Sequence, residues 1–148
     1  MLKYLIIISS LLVTSPVVMA KGDLNLRSVS GNNYTFYNDP FKLADYVKEP
    51  KKAAERGINK AQWKIKESGE GFIKAELDYK GYLLRSMIFY NDKEISFEHV
   101  SAERNDCAGK RSCQLKQRHV DRWRLNLRRQ IALELTKLAK QNAISLSN

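Results

Sequence analysis

From Trp63 onward, apolar and polar residues follow two successive periods, first of two residues and then of about 3.6. Trp63 and Ile65 alternate with Lys64 and Lys66. Residues 72–79 put Ile73, Ala75, Leu77 and Tyr79 on one face and Lys74, Glu76 and Asp78 on the other. Tyr82 to Tyr90 is apolar on both faces except at Arg85 and Ser86, and Ile95, Phe97 and His99 then alternate with Glu94, Ser96 and Glu98. Ser68-Gly69-Glu70-Gly71, Lys80-Gly81 and Asn91-Asp92-Lys93 supply turn residues between these runs. Alternating runs separated by such turns predict a four-stranded antiparallel meander with one buried face.

The period changes at about Gln117. Trp123, Leu127, Ile131, Leu135 and Leu138 recur every three or four residues and predict a helix from about Arg118 to Gln141, followed by a tail over residues 143–148. Arg118, Arg122, Arg129 and Lys140 fall on its opposite face. An isolated helix of this kind is marginal in water, so it is expected to lie across the apolar sheet face, with Trp123 as its main packing residue. Trp63, Trp123, Leu127 and Ile131 are the expected core.

Upstream, Asp39-Pro40 has the form of an N-cap followed by proline at the first helical position, and Phe41, Ala44 and Val47 follow at helical spacing. Pro50 interrupts, so a kinked helical segment is expected from Pro40 to about Arg56, with Gly57 as its terminator. Residues 21–38 are polar and irregular. Ser30-Gly31-Asn32-Asn33 separates the β-like runs Leu24-Asn25-Leu26 and Tyr34-Thr35-Phe36-Tyr37, which fit either an extended arm or an extra strand. The expected fold is therefore one α+β domain over residues 39–142: an N-terminal helical segment, the four-stranded meander, and a C-terminal amphipathic helix packed on one sheet face.

The first 20 residues change the compartment. Lys3 gives a short charged start, Leu5 to Val18 is apolar apart from Ser9, Ser10, Thr14, Ser15 and Pro16, and Val18-Met19-Ala20 suits cleavage before Lys21. A signal peptide is expected, a signal anchor being the alternative, with no transmembrane segment after cleavage. No cysteine follows the apolar run, so no lipid anchor is expected. The expected location is the periplasm of a Gram-negative bacterium. Cys107 and Cys113 agree with export: a close even pair in an oxidising compartment forms a disulfide, contributing about 2 kcal/mol by chain entropy. The alternative is a zinc site from His99, Cys107, Cys113 and His119, whose H-x7-C-x5-C-x5-H spacing is not that of a zinc finger.

With 148 residues, the chain is too short for a TIM barrel, and 43% hydrophobic residues exclude wholesale disorder. It carries no G-x-S-x-G, phosphate-binding glycine loop, H-E-x-x-H or calcium loop, so no catalytic residue, metal site or cofactor is assigned. Lys and Arg number 26 against 16 Asp and Glu. The excess concentrates between Arg104 and Arg129, where Lys110, Arg111, Lys116, Arg118, Arg122, Arg124 and Arg128 are opposed only by Asp106 and Asp121. Such a patch either is a solvated face or attracts anions. The functional expectation is a non-catalytic module using Arg118, Arg122, Arg129, Arg111 and Lys110 to contact an anionic envelope component or an acidic protein partner; nucleic acid is not expected in that compartment. The alternative is a small exported hydrolase or transferase using His99 or His119 with a carboxylate such as Glu94, Glu98 or Glu103.

Several runs also carry a resemblance. Gly71-Phe72-Ile73-Lys74-Ala75-Glu76-Leu77, Ile88-Phe89-Tyr90, Ile95-Ser96-Phe97, and His119 with Trp123-x-x-Asn126-Leu127-x-x-x-Ile131 resemble a family of small exported bacterial proteins, often lipoproteins, of unknown function. The likeness spans roughly Lys51 to Leu135. The chain departs from that pattern in separating Arg56-Gly57 from Trp63, in having Val120-Asp121 before the closing tryptophan, and in lacking the lipobox cysteine. The resemblance implies the order of elements and an envelope location, and it brings no catalytic residue.

Overall fold

Alternation and turn chemistry place the expected strands within a residue or two of where they lie, except that the last runs on to Arg104, five residues past His99. The computed structural model describes residues 39–109 and 113–147, which belong to one compact unit. The expected leader (1–20), the arm (21–38), and Lys110 and Arg111 lie outside the described residues. Strands β1 (Phe41–Lys42), β2 (Lys64–Ser68), β3 (Phe72–Tyr79), β4 (Tyr82–Tyr90) and β5 (Glu94–Arg104) and helices α1 (Pro50–Lys60) and α2 (Gln117–Leu146) make an α+β fold. The sheet is antiparallel with order β1-β5-β4-β3-β2.

It has five strands rather than the expected four. The additional one is the two-residue edge strand β1, where Phe41 pairs with Ile95 and Lys42 with Glu94. The expected helix from Pro40 to Arg56 is not found. The proline at the helix start is Pro50, and residues 41–42 join the sheet. Gly57 does not end α1 either. The helix continues to Lys60 and closes in a Schellman arrangement, with Gln62 N–H donating to Asn59 O and Trp63 N–H to Ile58 O, and with Gln62 at φ +66°. Gly57 instead marks the crossing with α2, because a Cβ there would lie 2.5 Å from Ile131 Cγ1 and 2.6 Å from Ile131 Cα.

Tyr79 pairs with Tyr82 across a two-residue turn whose Lys80 and Gly81 both have positive φ, 50° and 76°, as a type I′ hairpin requires. The turn into β5 is held by Asn91, whose Oδ1 accepts from the backbone N–H groups of Lys93 and Glu94 at 2.8 Å. In β5 the pairing slips by one residue: Ser86 opposes His99, but Arg85 opposes Ser101. Val100 is the extra residue of this bulge and is 56% exposed. Below it His99 shares the inner face with Ile95 and Phe97; above it Ala102 and Arg104 do.

The core lies between the inner sheet face and the two helices. Ile73, Leu84, Ile88 and Ile95 from the sheet meet Ile58 and Trp63, and Val120, Leu127 and Ile131 from α2. Trp63, Leu127 and Ile131 are buried as expected, while Trp123 is partly buried at the margin. Helix α2 runs past the expected end near Gln141 to Leu146. Among the described residues no helix is long and apolar enough to cross a membrane.

Candidate functional site

Helix α2 divides the basic patch between two environments. Arg118, Arg122 and Arg129 are exposed, and steps of four and seven residues return them to nearly one helix angle. Arg124 and Arg128 turn toward the sheet. The Arg128 guanidinium lies 4.1 Å from the Phe41 ring centroid and 5.2 Å from that of Phe97, and it donates to Asp39 O. This contact ties β1 to the helix and removes Arg128 from the outer face.

At the N-terminal end of α2, beside the β3–β4 turn, a cleft of about 310 Å³ is lined by Tyr79, Lys80, Tyr82, Arg104, Lys116, His119, Arg122 and Trp123. Trp123 is the hub of its aromatic base, with ring centroids 5.7 Å from Tyr79, 5.0 Å from Tyr82 and 5.7 Å from His119, all edge-to-face. Tyr82 is 3% exposed and closes the base, whereas Tyr79 is 42% exposed. One wall is fixed by Arg104, brought inward by the Val100 bulge. Its guanidinium lies 5.0 Å from the Tyr82 ring centroid. It donates to Asp106 Oδ1 from Nε at 2.6 Å and to Oδ2 from Nη2 at 3.3 Å, a forked pair.

The other cations of the cleft differ from Arg104. Lys116 and Arg122 form no ion pair among the described residues, nor does Lys80, whose ammonium lies 5.1 Å from the Tyr79 ring centroid. Among the described residues no carboxylate lines the cleft, Asp106 standing behind Arg104. Helix α2 also begins there with no side-chain cap and no acid in its first turn, leaving the positive end of its dipole uncompensated. His119 is held below its ordinary pKa by burial and by the positive charges of Arg118, Arg122, Lys116 and Arg104. It is a neutral imidazole at pH 7.

His99 sits elsewhere, on the inner face against Ser86, with Nδ1 2.9 Å from Ser86 Oγ. Ser86 is 2% exposed. His99 Nε2 is itself buried without a hydrogen-bond partner among the described residues, as is Arg124 Nε. Burial first, then Arg124 and Arg128, push the His99 pKa down to about 4. A serine shut from solvent gives a substrate no approach, and among the described residues no hydrogen bond or ion pair joins His99 or His119 to a carboxylate. Cys107 and Cys113 are disulfide-bonded, with Cα atoms 5.2 Å apart, so neither serves as a zinc thiolate.

A buried acid outside the site was also illegible in the sequence. Glu134, 4% exposed, accepts from Arg56 Nε at 3.2 Å, Lys60 Nζ at 2.6 Å and Lys137 Nζ at 2.6 Å, joining α1 to α2. These bonds, led by Lys137 and Lys60, lower its pKa to about 2.

Of the expected binding residues, the structure brings Arg122 into the cleft and leaves Arg118 and Arg129 on the outer face of α2. Sequence reasoning missed Tyr79, Lys80, Tyr82, Arg104 and Lys116 as cleft residues. Arg104 and Lys116 were legible only as members of the basic stretch, and Lys80 only as a turn residue; nothing local brought them to one cleft. No family model matches the chain, and no curated protein or solved structure matches it.

Proposed function

We propose that this protein is a non-catalytic binding module that contacts an anionic envelope component, or an acidic protein there, through the outer face of α2 and the cleft beside it. The observation that carries this reading is the unpaired state of Lys116, Arg118, Arg122 and Arg129 among the described residues. Many described cations elsewhere are matched, among them Lys42 with Glu94, Lys66 and Arg85 with Glu76, Lys74 with Glu67, and Arg56, Lys60 and Lys137 with Glu134. Those that are not, such as Lys48, Lys64 and Lys93, are scattered rather than gathered on one face. Four unmatched cations on one stretch of helix repel each other and raise the local concentration of anions. The leader-like N-terminus, the resemblance to exported proteins and the disulfide support an envelope location.

The test is titration of the purified protein with vesicles containing anionic phospholipid and with zwitterionic vesicles, at low and at physiological salt. Binding is expected only to the anionic vesicles and is expected to weaken as salt rises. The triple variant Arg118→Gln, Arg122→Gln, Arg129→Gln is expected to lose about tenfold in affinity and to show a shallower salt dependence. Equal binding to both vesicles, or full binding by the triple variant, overturns the reading. Salt-dependent binding to polyglutamate without vesicle binding identifies an acidic protein as the partner.

A further inference from the structure

We propose that the cleft between the β3–β4 turn and the start of α2 binds a phosphomonoester carried on a single six-membered ring. The ring lies against Tyr79 and Trp123, and the phosphate is held by Lys80, Lys116 and Arg122. This rests on the anion-binding reading above and gives the cleft its own ligand class.

Three observations lead there. First, the cleft holds three cations without an acid partner among the described residues, while the fourth, Arg104, is held in a fork by Asp106. A carboxylate brings one charge and suits one forked partner. A phosphate monoester brings nearly two negative charges and three acceptor oxygens, enough for three donors lining one cleft. Second, the base is aromatic, and it is open where it matters: Tyr79 is 42% exposed and Trp123 is partly buried, while Tyr82 lies beneath them. An inorganic anion makes no use of such a surface, whereas a ring covers it and excludes water from the charged contacts. Third, a volume of about 310 Å³ accommodates one ring with one phosphate. His119 completes the wall as a neutral imidazole, able to donate to a phosphate oxygen.

Calorimetric titration with phenyl phosphate, glucose 6-phosphate, inorganic phosphate and glucose tests the assignment. Either ring phosphate is expected to bind at least tenfold more tightly than inorganic phosphate, and glucose is expected not to bind. Tyr79→Ala is expected to remove the advantage of the ring without changing inorganic phosphate affinity. Lys116→Gln with Arg122→Gln is expected to weaken every phosphate at least tenfold. In an NMR titration, a bound phosphate is expected to raise the His119 pKa, because it offsets the positive field of Arg118, Arg122, Lys116 and Arg104. Equal affinity for inorganic and ring phosphates, or an unchanged His119 titration at saturation, overturns the proposal.

The double variant Arg118→Gln, Arg129→Gln separates the two readings, since neither residue lines the cleft. It is expected to retain ring-phosphate affinity while losing vesicle binding. Ring-phosphate binding with no vesicle binding in the parent protein leaves the cleft standing and removes the helix face. Vesicle binding with no ring-phosphate binding does the reverse.

Discussion

At Gly57 and Gln62 the chain has its glycine where two helices touch and a side chain where a helix ends. Both choices follow from α1 packing on α2. The Cβ of alanine at 57 would press on the Ile131 backbone as well as its side chain, so neither rotamer change nor local relaxation removes the clash. Gly57→Ala is therefore expected to destabilise the protein by about 1–3 kcal/mol through overpacking. Gln62 holds φ +66° as the residue after the helix end, a conformation that glycine adopts without strain. Gln62→Gly is expected to be neutral or to stabilise by up to about 1 kcal/mol. Urea denaturation of both variants checks the pair, and similar destabilisation by both would mean that the helices do not meet as closely at 57 as described.

Helix α2 has two sides with separate consequences. Trp123→Ala removes the hub of the aromatic base and part of the packing on Tyr82, at an expected cost of about 2–4 kcal/mol, less than for a fully buried tryptophan. The triple glutamine variant at Arg118, Arg122 and Arg129 is expected to change stability by no more than about 0.5 kcal/mol, because the charges are exposed and unpaired. Thermal denaturation of the two variants separates core from surface. Loss of stability in the triple variant with none in Trp123→Ala would mean that the helix faces the other way. Both sides were legible because a 3.6-residue period sorts positions by angle without knowledge of the fold. The strands from β2 to β5 were legible for the same reason, through a period of two. The two-residue β1 has no period to read, and Asp39-Pro40 competed successfully with Pro50 as a helix start. The cleft was hidden because Tyr79, Tyr82 and Arg104 meet only through hairpin pairing and strand register, and no local pattern encodes that.

Across the whole molecule, the half-buried His99 and the buried Glu134 give the stability curve its acid side. His99 titrates at about 4 in the folded protein against an ordinary 6.5, so the unfolded chain takes up a proton first. Its contribution is complete above pH 6.5 and is lost as the pH falls toward and through 4. Glu134, at about 2 against 4.5, contributes above pH 4.5 and loses that contribution as the pH falls through 2. Stability is expected to decline in two successive windows. His99→Gln flattens the upper one, and Glu134→Gln flattens the lower one at a cost of about 1–3 kcal/mol near neutrality, as three cations lose the negative charge they share. Denaturation midpoints measured between pH 7 and 2 check both, and a slope between 6.5 and 4 that survives His99→Gln would place the proton elsewhere. The Val100 bulge acts on the same scale, since β5 is in effect written in two frames: Ile95, Phe97 and His99 face the core in the first, Ala102 and Arg104 in the second. Deleting that one residue would join the two frames into one regular alternation, with Ser101 and Glu103 still outward and Ala102 and Arg104 still inward. A one-codon loss at Val100 would thus erase the bulge while leaving Arg104 beside Tyr82 and the cations of the cleft unchanged.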